Sequence, residues 1–454
     1  MNLHACLADP RRYEGQIERL HQKYLWTRRL YELQQSDVSL ASFVLNRSTV
    51  ARKIARTVGN REYGLQPAHV RTITTDGKQR IVFAYRLTDL LVHGVVANVL
   101  EEALTPALSA SLYSYRKGVS WWTAISAFAA YARRHRKNQP DVRRRGFYVI
   151  RRDIDSYTDS IPVGPTSPVW AMLRRLLLTF DDGRSLSSAH WHLIETVVRP
   201  VAFITEGHLF TQYRGVATGQ PISCVLFNLY LSGLDAQLDQ IPGAFYARYC
   251  DDIVFAHPDP DVVRAADTCM REALSALGLQ LNESKSRDLF LTAAGRHSPA
   301  WPEARGTTAV PLLGCLISAH GTVSLSRKKR RRLLADLEDR AFGTARALAT
   351  RDPAAAGRTI CAVINRALEP KLEFSQQRSA TLLRRAVTDR DDLKQLDYSI
   401  ARIVLRAITG QRGAQAFRTI PYRKMREEWQ LLSLLQARNK WPGGRGVADP
   451  GRAT

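Results

Sequence analysis

The stretch AFYARYCDDIVFA, residues 244 to 256, decides the reading of this chain. Two short apolar runs flank Asp251-Asp252, a residue pair suited to a tight turn, so the pattern predicts a β-hairpin with two carboxylates at its tip. Well upstream, FYVIRRDIDSYTDSI (residues 147 to 161) is a second β-rich run. It delivers Asp153 at its end, where a buried strand gives way to a more polar segment.

Adjacent carboxylates repel, and holding them together costs stability unless a cation neutralises them. Mg²⁺ suits such a site because it keeps several waters and takes few protein ligands. Phosphoryl transfer to a 3′ hydroxyl can use two such ions, ~3.5 to 4 Å apart, one at the attacking oxygen and one at the leaving group. An Asp-Asp pair also arises by chance and then marks a solvated turn, so the pair alone leaves both readings open.

Composition narrows the partners. A chain of 454 residues with 45% hydrophobic and 24% charged residues is of ordinary globular make-up, and its length predicts two or three packed units. The 66 Lys and Arg against 42 Asp and Glu leave a formal charge of +24, which points to a polyanion such as nucleic acid. Basic residues cluster at Arg133, Arg134, Arg136 and Lys137, at Arg143 to Arg145, at Arg151 and Arg152, and from Arg327 to Arg332. Each run alone reads as a solvated face; together with the net charge they point to phosphate contacts. The six cysteines are scattered, without CxxC pairs or zinc-finger spacing. Neither a signal peptide nor an apolar span long enough for a bilayer is visible, so a cytoplasmic location without membrane contact is expected.

Residues 1 to about 60 read as helical. Val70 to Arg86 alternates around Asp76-Gly77, a hairpin signal. Helical periodicity returns over Leu87 to Leu108 and over Trp121 to Arg136, with Ser120 as cap, and Ser167-Pro168 opens a further helix. From Phe147 short strands alternate with helices, the pattern of an α+β unit. After Leu325 helix succeeds helix, with breaks near Asp352-Pro353 and Gly410 to Gly413, and the Gly-, Pro- and Arg-rich tail 441–454 reads as disordered.

On these segments the chain resembles the reverse transcriptases. YCDD (Tyr249 to Asp252) is similar to their YxDD hairpin, and DIDSYTDSI (Asp153 to Ile161) to their first catalytic motif. GVATGQPISCVLFNLYLSGLD (Gly215 to Asp235) resembles the segment between them, LGLQLNESKS (Leu277 to Ser286) the G-L-x-L-N-x-x-K-T segment, and LLGCLIS (Leu312 to Ser318) the primer-gripping strand. KQRIVFAYRLTD (Lys78 to Asp89) and YSYRKGVSWWTAI (Tyr113 to Ile125) look like finger segments of bacterial members. Seven segments stand in family order over residues 70 to 330.

The resemblance implies an α+β right-hand polymerase with fingers, a palm of antiparallel sheet plus helices, and a helical thumb. Its expected boundaries are an N-terminal helical region at 1–69, fingers at 70–145, a palm at 146–320 with a finger-like insertion near 162–212, and a helical thumb and C-terminal region at 321–440. It implies Asp153, Ile154, Asp251 and Asp252 as the metal-holding positions for Mg²⁺ or Mn²⁺, Asp252 being a supporting ligand, and Lys285 as the acid that protonates departing pyrophosphate. Lys78 and Arg80 would hold the triphosphate, with Tyr157, Thr158, Gly219 and Gln220 at the nucleotide. Arg116, Ser223, Tyr249, Leu313 and Gly314 would face primer and template. For Lys78, Arg80 and Lys285 plain surface charge is the alternative, for Gly219 a simple turn, and for Leu313 ordinary packing. The implied partners are an RNA template, including a dedicated non-coding RNA, a DNA product and deoxynucleoside triphosphates; a homo-oligomer or a partner protein stays open.

The chain departs from the family pattern in two places. Thr158 stands where an aromatic residue usually screens the 2′ position, with Tyr157 one place earlier, so sugar selection is open. Ala217-Thr218 and Ser223-Cys224 replace the usual Pro-Gln and Ser-Pro. Such drift resembles the divergent bacterial members associated with abortive infection and phage defence. A viral-type RNA polymerase would place an aspartate at 158 and a GDD hairpin, which this chain lacks. A lapsed polymerase serving as an RNA-binding or splicing helper would have no need of three acids, and relaxed-template or untemplated synthesis is a further alternative.

Overall fold

The computed structural model describes residues 2–27, 39–75, 78–141, 145–183, 187–203, 208–211, 213–217, 220–348, 352–369, 378–412 and 415–438. They form two compact units, each drawn from several chain segments: one from 1–119, 150–257 and 261–287, the other from 120–149, 258–260 and 288–454. The expected tail at 441–454 and the expected hairpin tip Asp76-Gly77 lie outside the described residues.

In the first unit, strands β1 (Ala68–Thr75) and β2 (Lys78–Ala84) pair antiparallel, as the alternation predicts. Strand β3 (Phe147–Asp153) enters this unit at residue 150. Strands β4 (Val201–Phe203) and β5 (Leu209–Thr211), both within the expected finger-like insertion, extend the hairpin into a sheet of order β2-β1-β4-β5. The β1/β4 pairing is parallel. Strands β6 (Phe245–Tyr249) and β7 (Asp252–His257) form the anticipated hairpin, with β3 beside β7. Both strands are buried along almost their whole length, which explains why they read as continuous apolar runs.

The helix Leu87–Leu104 is buried over Leu91 to Ala97 and packs against the helix Pro221–Tyr230. A helix apolar on all sides belongs in a core. Ser167 caps the helix Pro168–Phe180 by accepting from Val169 N at 3.1 Å, and Pro168 takes the first turn, where a missing N–H costs nothing.

In the second unit, residues 147–149 of β3 lie beside β8 (Arg287–Leu291), the Tyr148 ring 4.7 Å from that of Phe290. Strand β9 (Arg305–Thr307) pairs with β8 in parallel. The residues between them make a crossover long enough to reverse the chain twice. Strands β10 (Ala309–Leu312), β11 (Cys315–Ser318) and β12 (Val323–Leu325) form a separate antiparallel meander.

The helices Arg327–Ala347, Pro353–Leu368 and Arg390–Thr409 pack on one another after it. Asp352 caps the second through Ala354 N and Ala355 N, and Gly410 ends the third at φ +68°. No helix among the described residues is long and apolar enough to cross a membrane.

Candidate active site

Strand β3 ends at Asp153, and short antiparallel hydrogen bonding holds residues 153 to 155 in place. Asn282 N donates to Asp153 O at 2.7 Å, Asp155 N to Gln280 O at 2.9 Å, and Ile154 N to Asp251 O at 3.1 Å. The last of these ties the end of β3 to the tip of the β6/β7 hairpin. Asn282 then turns the chain: its Oδ1 accepts from Ser284 Oγ at 2.7 Å and from Lys285 N at 3.3 Å. The turn presents Lys285, whose Nζ lies 2.6 Å from Asp153 Oδ1.

The hairpin register pairs Tyr249 with Asp252, so the two turn residues are Cys250 and Asp251. Cys250 has φ +59°, the first-position geometry of a type II′ turn, which usually calls for glycine. The strained residue is held on both sides: its N donates to Ser114 Oγ at 3.0 Å and its O accepts from Arg248 Nη1 at 3.2 Å. Ser114 in turn bonds Asn228, through Oγ to Oδ1 at 3.3 Å and O to Nδ2 at 3.1 Å. Three separate sequence segments therefore converge on one turn.

Arg248 is fully buried with Asp235, its Nε and Nη2 lying 2.7 and 2.5 Å from the carboxylate oxygens, and Tyr246 Oη donates to the same carboxylate at 2.6 Å. Burial opposes this charge, but Asp235 outweighs it and holds the guanidinium proton more tightly than usual. Reading the sequence alone missed this pair; one arginine inside the apolar run AFYARYC was the available sign.

Asp252 was expected to share the tip with Asp251. It instead opens β7 and turns both carboxylate oxygens to Arg151 Nη2, at 2.9 and 3.0 Å. Arg152, expected with Arg151 to face solvent or phosphate, is buried against Asp267 at 2.6 Å. Among the described residues no three His, Cys, Asp or Glu side chains gather around one point. Asp153 and Lys285 act electrostatically on both Asp251 and Asp252, so the three acids stay coupled while Asp252 also holds Arg151.

Burial raises the Asp251 carboxyl above its usual range, and the negative charges of Asp153 and Asp252 push the same way. Burial raises Asp252 as well, against the pull of Arg151. The hydrogen bond to Asp153 raises Lys285. A half-buried acid pair with an ammonium drawn onto it is a site short of positive charge, and its hard oxygen donors fit a divalent ion of the Mg²⁺ type.

The family described as reverse transcriptase (RNA-dependent DNA polymerase) matches residues 75–317, more than half of the chain. The chain belongs to the reverse transcriptase family. Its strands and helices are of the α+β class, and reverse transcriptase domains generally use divalent metal ions.

Among solved structures it is similar to apo telomerase from Candida tropicalis truncated from its C-terminal domain, at 14% identity and TM-score 0.43 over 58% of this chain and 56% of that one. It is similar also to telomerase from Candida albicans in complex with a fragment of telomeric RNA, at 11% identity and TM-score 0.44 over 79% and 63%. This reverse transcriptase therefore spans less than two thirds of either telomerase chain. No curated protein matches it.

Several expected contact residues of the reverse transcriptase domain sit differently. Tyr157 is fully buried and donates to Phe227 O at 2.7 Å, which corrects its placement at the nucleotide; Thr158 beside it is half-buried. Gln220 is buried with its side chain on the Tyr85 hydroxyl, and Ser223 is buried with its Oγ on Ala217 O at 2.7 Å. Tyr249 is half-buried at the end of β6. Arg116 is engaged by Ser109 O and Leu112 O at 2.6 and 3.1 Å. Leu313 and Gly314, expected on a strand, form the two-residue turn between β10 and β11 with φ +47° and +91°, the two positive values of a type I′ turn. Lys78 and Arg80 lie on β2, and Gly219 lies outside the described residues.

Proposed function

We propose that this reverse transcriptase adds deoxynucleotides to a 3′ hydroxyl along an RNA template, with Asp153 and Asp251 as the acids of its catalytic centre. The observation that carries this reading is the Ile154 N–H to Asp251 O bond at 3.1 Å, with Lys285 Nζ 2.6 Å from Asp153. It joins three separately encoded segments at one acidic point.

Asp153, Asp251 and the main-chain oxygen of Ile154 would hold Mg²⁺ or Mn²⁺, with Asp252 supporting from its Arg151 pair. Two such ions, when bound, lower the charge on the attacking and leaving oxygens. The chain's own groups do the rest. Lys285 keeps its proton until pyrophosphate departs and then donates it. Arg248 and Ser114 fix the turn that carries Asp251. Lys78 and Arg80 on β2 would take the triphosphate, and Arg116, Tyr249, Leu313 and Gly314 would border primer and template. With Tyr157 in the core, sugar discrimination falls to Thr158. The four-stranded sheet formed by the 70–84 hairpin and the insertion strands supports a finger role for both, and the helices after residue 326 support a thumb.

The replacements at Thr158, Ala217-Thr218 and Ser223-Cys224 favour a place among the divergent bacterial members that act in phage defence. Primer extension on an RNA template with dNTPs and rNTPs offered separately tests the chemistry. Incorporation of dNTPs that needs Mg²⁺ or Mn²⁺ and disappears in Asp153→Asn and Asp251→Asn is expected. Equal use of rNTPs would refute the deoxynucleotide assignment, and full activity in both amides would refute the site. Loss of protection against phage plating in the Asp251→Asn strain tests the defence role.

A further inference from the structure

The helix Arg390–Thr409 buries Leu393, Leu396, Ile400 and Val404 on one side. On the other side Arg390, Lys394, Tyr398 and Arg402 succeed one another at four-residue intervals, all exposed. That spacing puts them on one ridge of the helix. Asp391 beside the ridge pairs with Lys394 at 3.4 Å, which leaves Tyr398 and Arg402 as the end of the ridge that differs from an ordinary solvated face of alternating charge.

Two features beside the ridge give it chemistry. The Tyr398 ring, half exposed, is stacked with Phe417 at 5.6 Å and 14°, and the Arg402 guanidinium carbon lies 5.8 Å from the same ring centroid. Next to them is a cavity of about 410 Å³ whose lining includes Ser399, Arg402, Arg406, Gln411 and Arg412. Glu338 neutralises Arg406 at 2.6 Å; among the described residues neither Arg402 nor Arg412 has a carboxylate partner. Arg402 therefore belongs to both the aromatic surface and the cavity.

We propose that this face of the C-terminal helices binds single-stranded nucleic acid, seating phosphate in the arginine-lined cavity and an unpaired base against Tyr398. The cavity is within the size range of small-ligand pockets. A positively charged track with an aromatic platform is the combination that single strands use, because every base has a face to stack while the backbone supplies the charge. A duplex hides its base faces and would gain only from the cations. The surface lies apart in sequence from the catalytic segments, so its occupancy is read by binding and does not depend on the assignment of Asp153 and Asp251.

The test is fluorescence-anisotropy binding of labelled oligouridylate, oligothymidylate and a blunt duplex to the full chain, across a salt series. Tyr398→Ala is expected to weaken single-strand binding about tenfold and to leave the duplex unchanged. Tyr398→Phe, which keeps the stacked ring, should bind as the parent chain does. Arg402→Ala with Arg412→Ala should make the slope of log affinity against log salt shallower by about 1.4, at ~0.7 for each phosphate no longer neutralised. Unchanged affinity in Tyr398→Ala, equal losses on strand and duplex, or full displacement of the oligonucleotide by inorganic phosphate at similar concentration would each overturn the proposal. Asp251→Asn should bind single strands normally, which separates a failure of this site from a failure of the catalytic one.

Discussion

The buried pair Arg248–Asp235 offers the sharpest test of how the catalytic turn is held. Asp235→Asn changes one oxygen for nitrogen and removes the only negative charge that, among the described residues, is hydrogen-bonded to a guanidinium with no exposure. The other partners of that guanidinium are the carbonyl oxygens of Phe227, Asn228 and Cys250 at 3.3, 3.5 and 3.2 Å, which offer dipoles but no charge. Breaking a buried pair by removing one partner costs about 3 to 5 kcal/mol, a large share of the ~5 to 15 kcal/mol that holds a typical domain together. The measurement is urea unfolding of Asp235→Asn, of Arg248→Met and of the double variant. Because both changes remove the same interaction, the double should cost less than the sum of the singles by about 2 kcal/mol. Primer extension should fall in all three, since Arg248 also holds the Cys250 carbonyl. A cost under about 1 kcal/mol for Asp235→Asn, or strict additivity in the double, would refute the reasoning.

Lys285→Ala should lower the rate of the chemical step about a hundredfold while leaving primer-template affinity unchanged, as for loss of a positioned acid; an equal rate in single-turnover extension would remove Lys285 from the chemistry. Asp267 is held below the ordinary carboxylate range: burial opposes its charge, but Arg152 and Arg271 prevail. Its contribution is present above that range and is lost as pH falls through the lowered folded value, so Asp267→Asn should destabilise the chain by about 2 to 3 kcal/mol at neutral pH. The gap between variant and parent should close in acid, and a gap that widened in acid unfolding curves would contradict the assignment. Gly357 faces the Trp429 ring, and an added Cβ would lie 2.6 Å from its atoms. Gly357→Ala should therefore cost about 1 to 3 kcal/mol through overpacking, read as a lower melting temperature.

Much of this molecule was legible because its elements announce themselves locally. The apolar runs around residues 250 and 147 could only be strands, Ser167-Pro168 opens its helix where expected, Asp352-Pro353 marks the expected break between helices, and the alternation at 70–84 made its hairpin. The Asp153 strand end and the Asp251 turn were both placed by the same local logic. Family order of the motifs carried the class of chemistry, since each segment keeps its residue types wherever the chain folds them.

Direction and partnership were not local and only the tertiary structure decided them. Asp252 is next to Asp251 in the chain, yet Asp251 lies in the turn and Asp252 opens the strand after it, where its carboxylate meets Arg151 of the neighbouring strand. Tyr157, Gln220 and Ser223 carry polar atoms that a motif reading turns toward substrate, but Phe227 O, the Tyr85 hydroxyl and Ala217 O were there to satisfy them. Arg152 and Arg248 look from sequence like surface charge and are interior only because Asp267 and Asp235 come from distant helices to neutralise them. A sequence states which groups a residue can bond; the packing of remote segments, which must leave no buried charge alone, settles which of them it does.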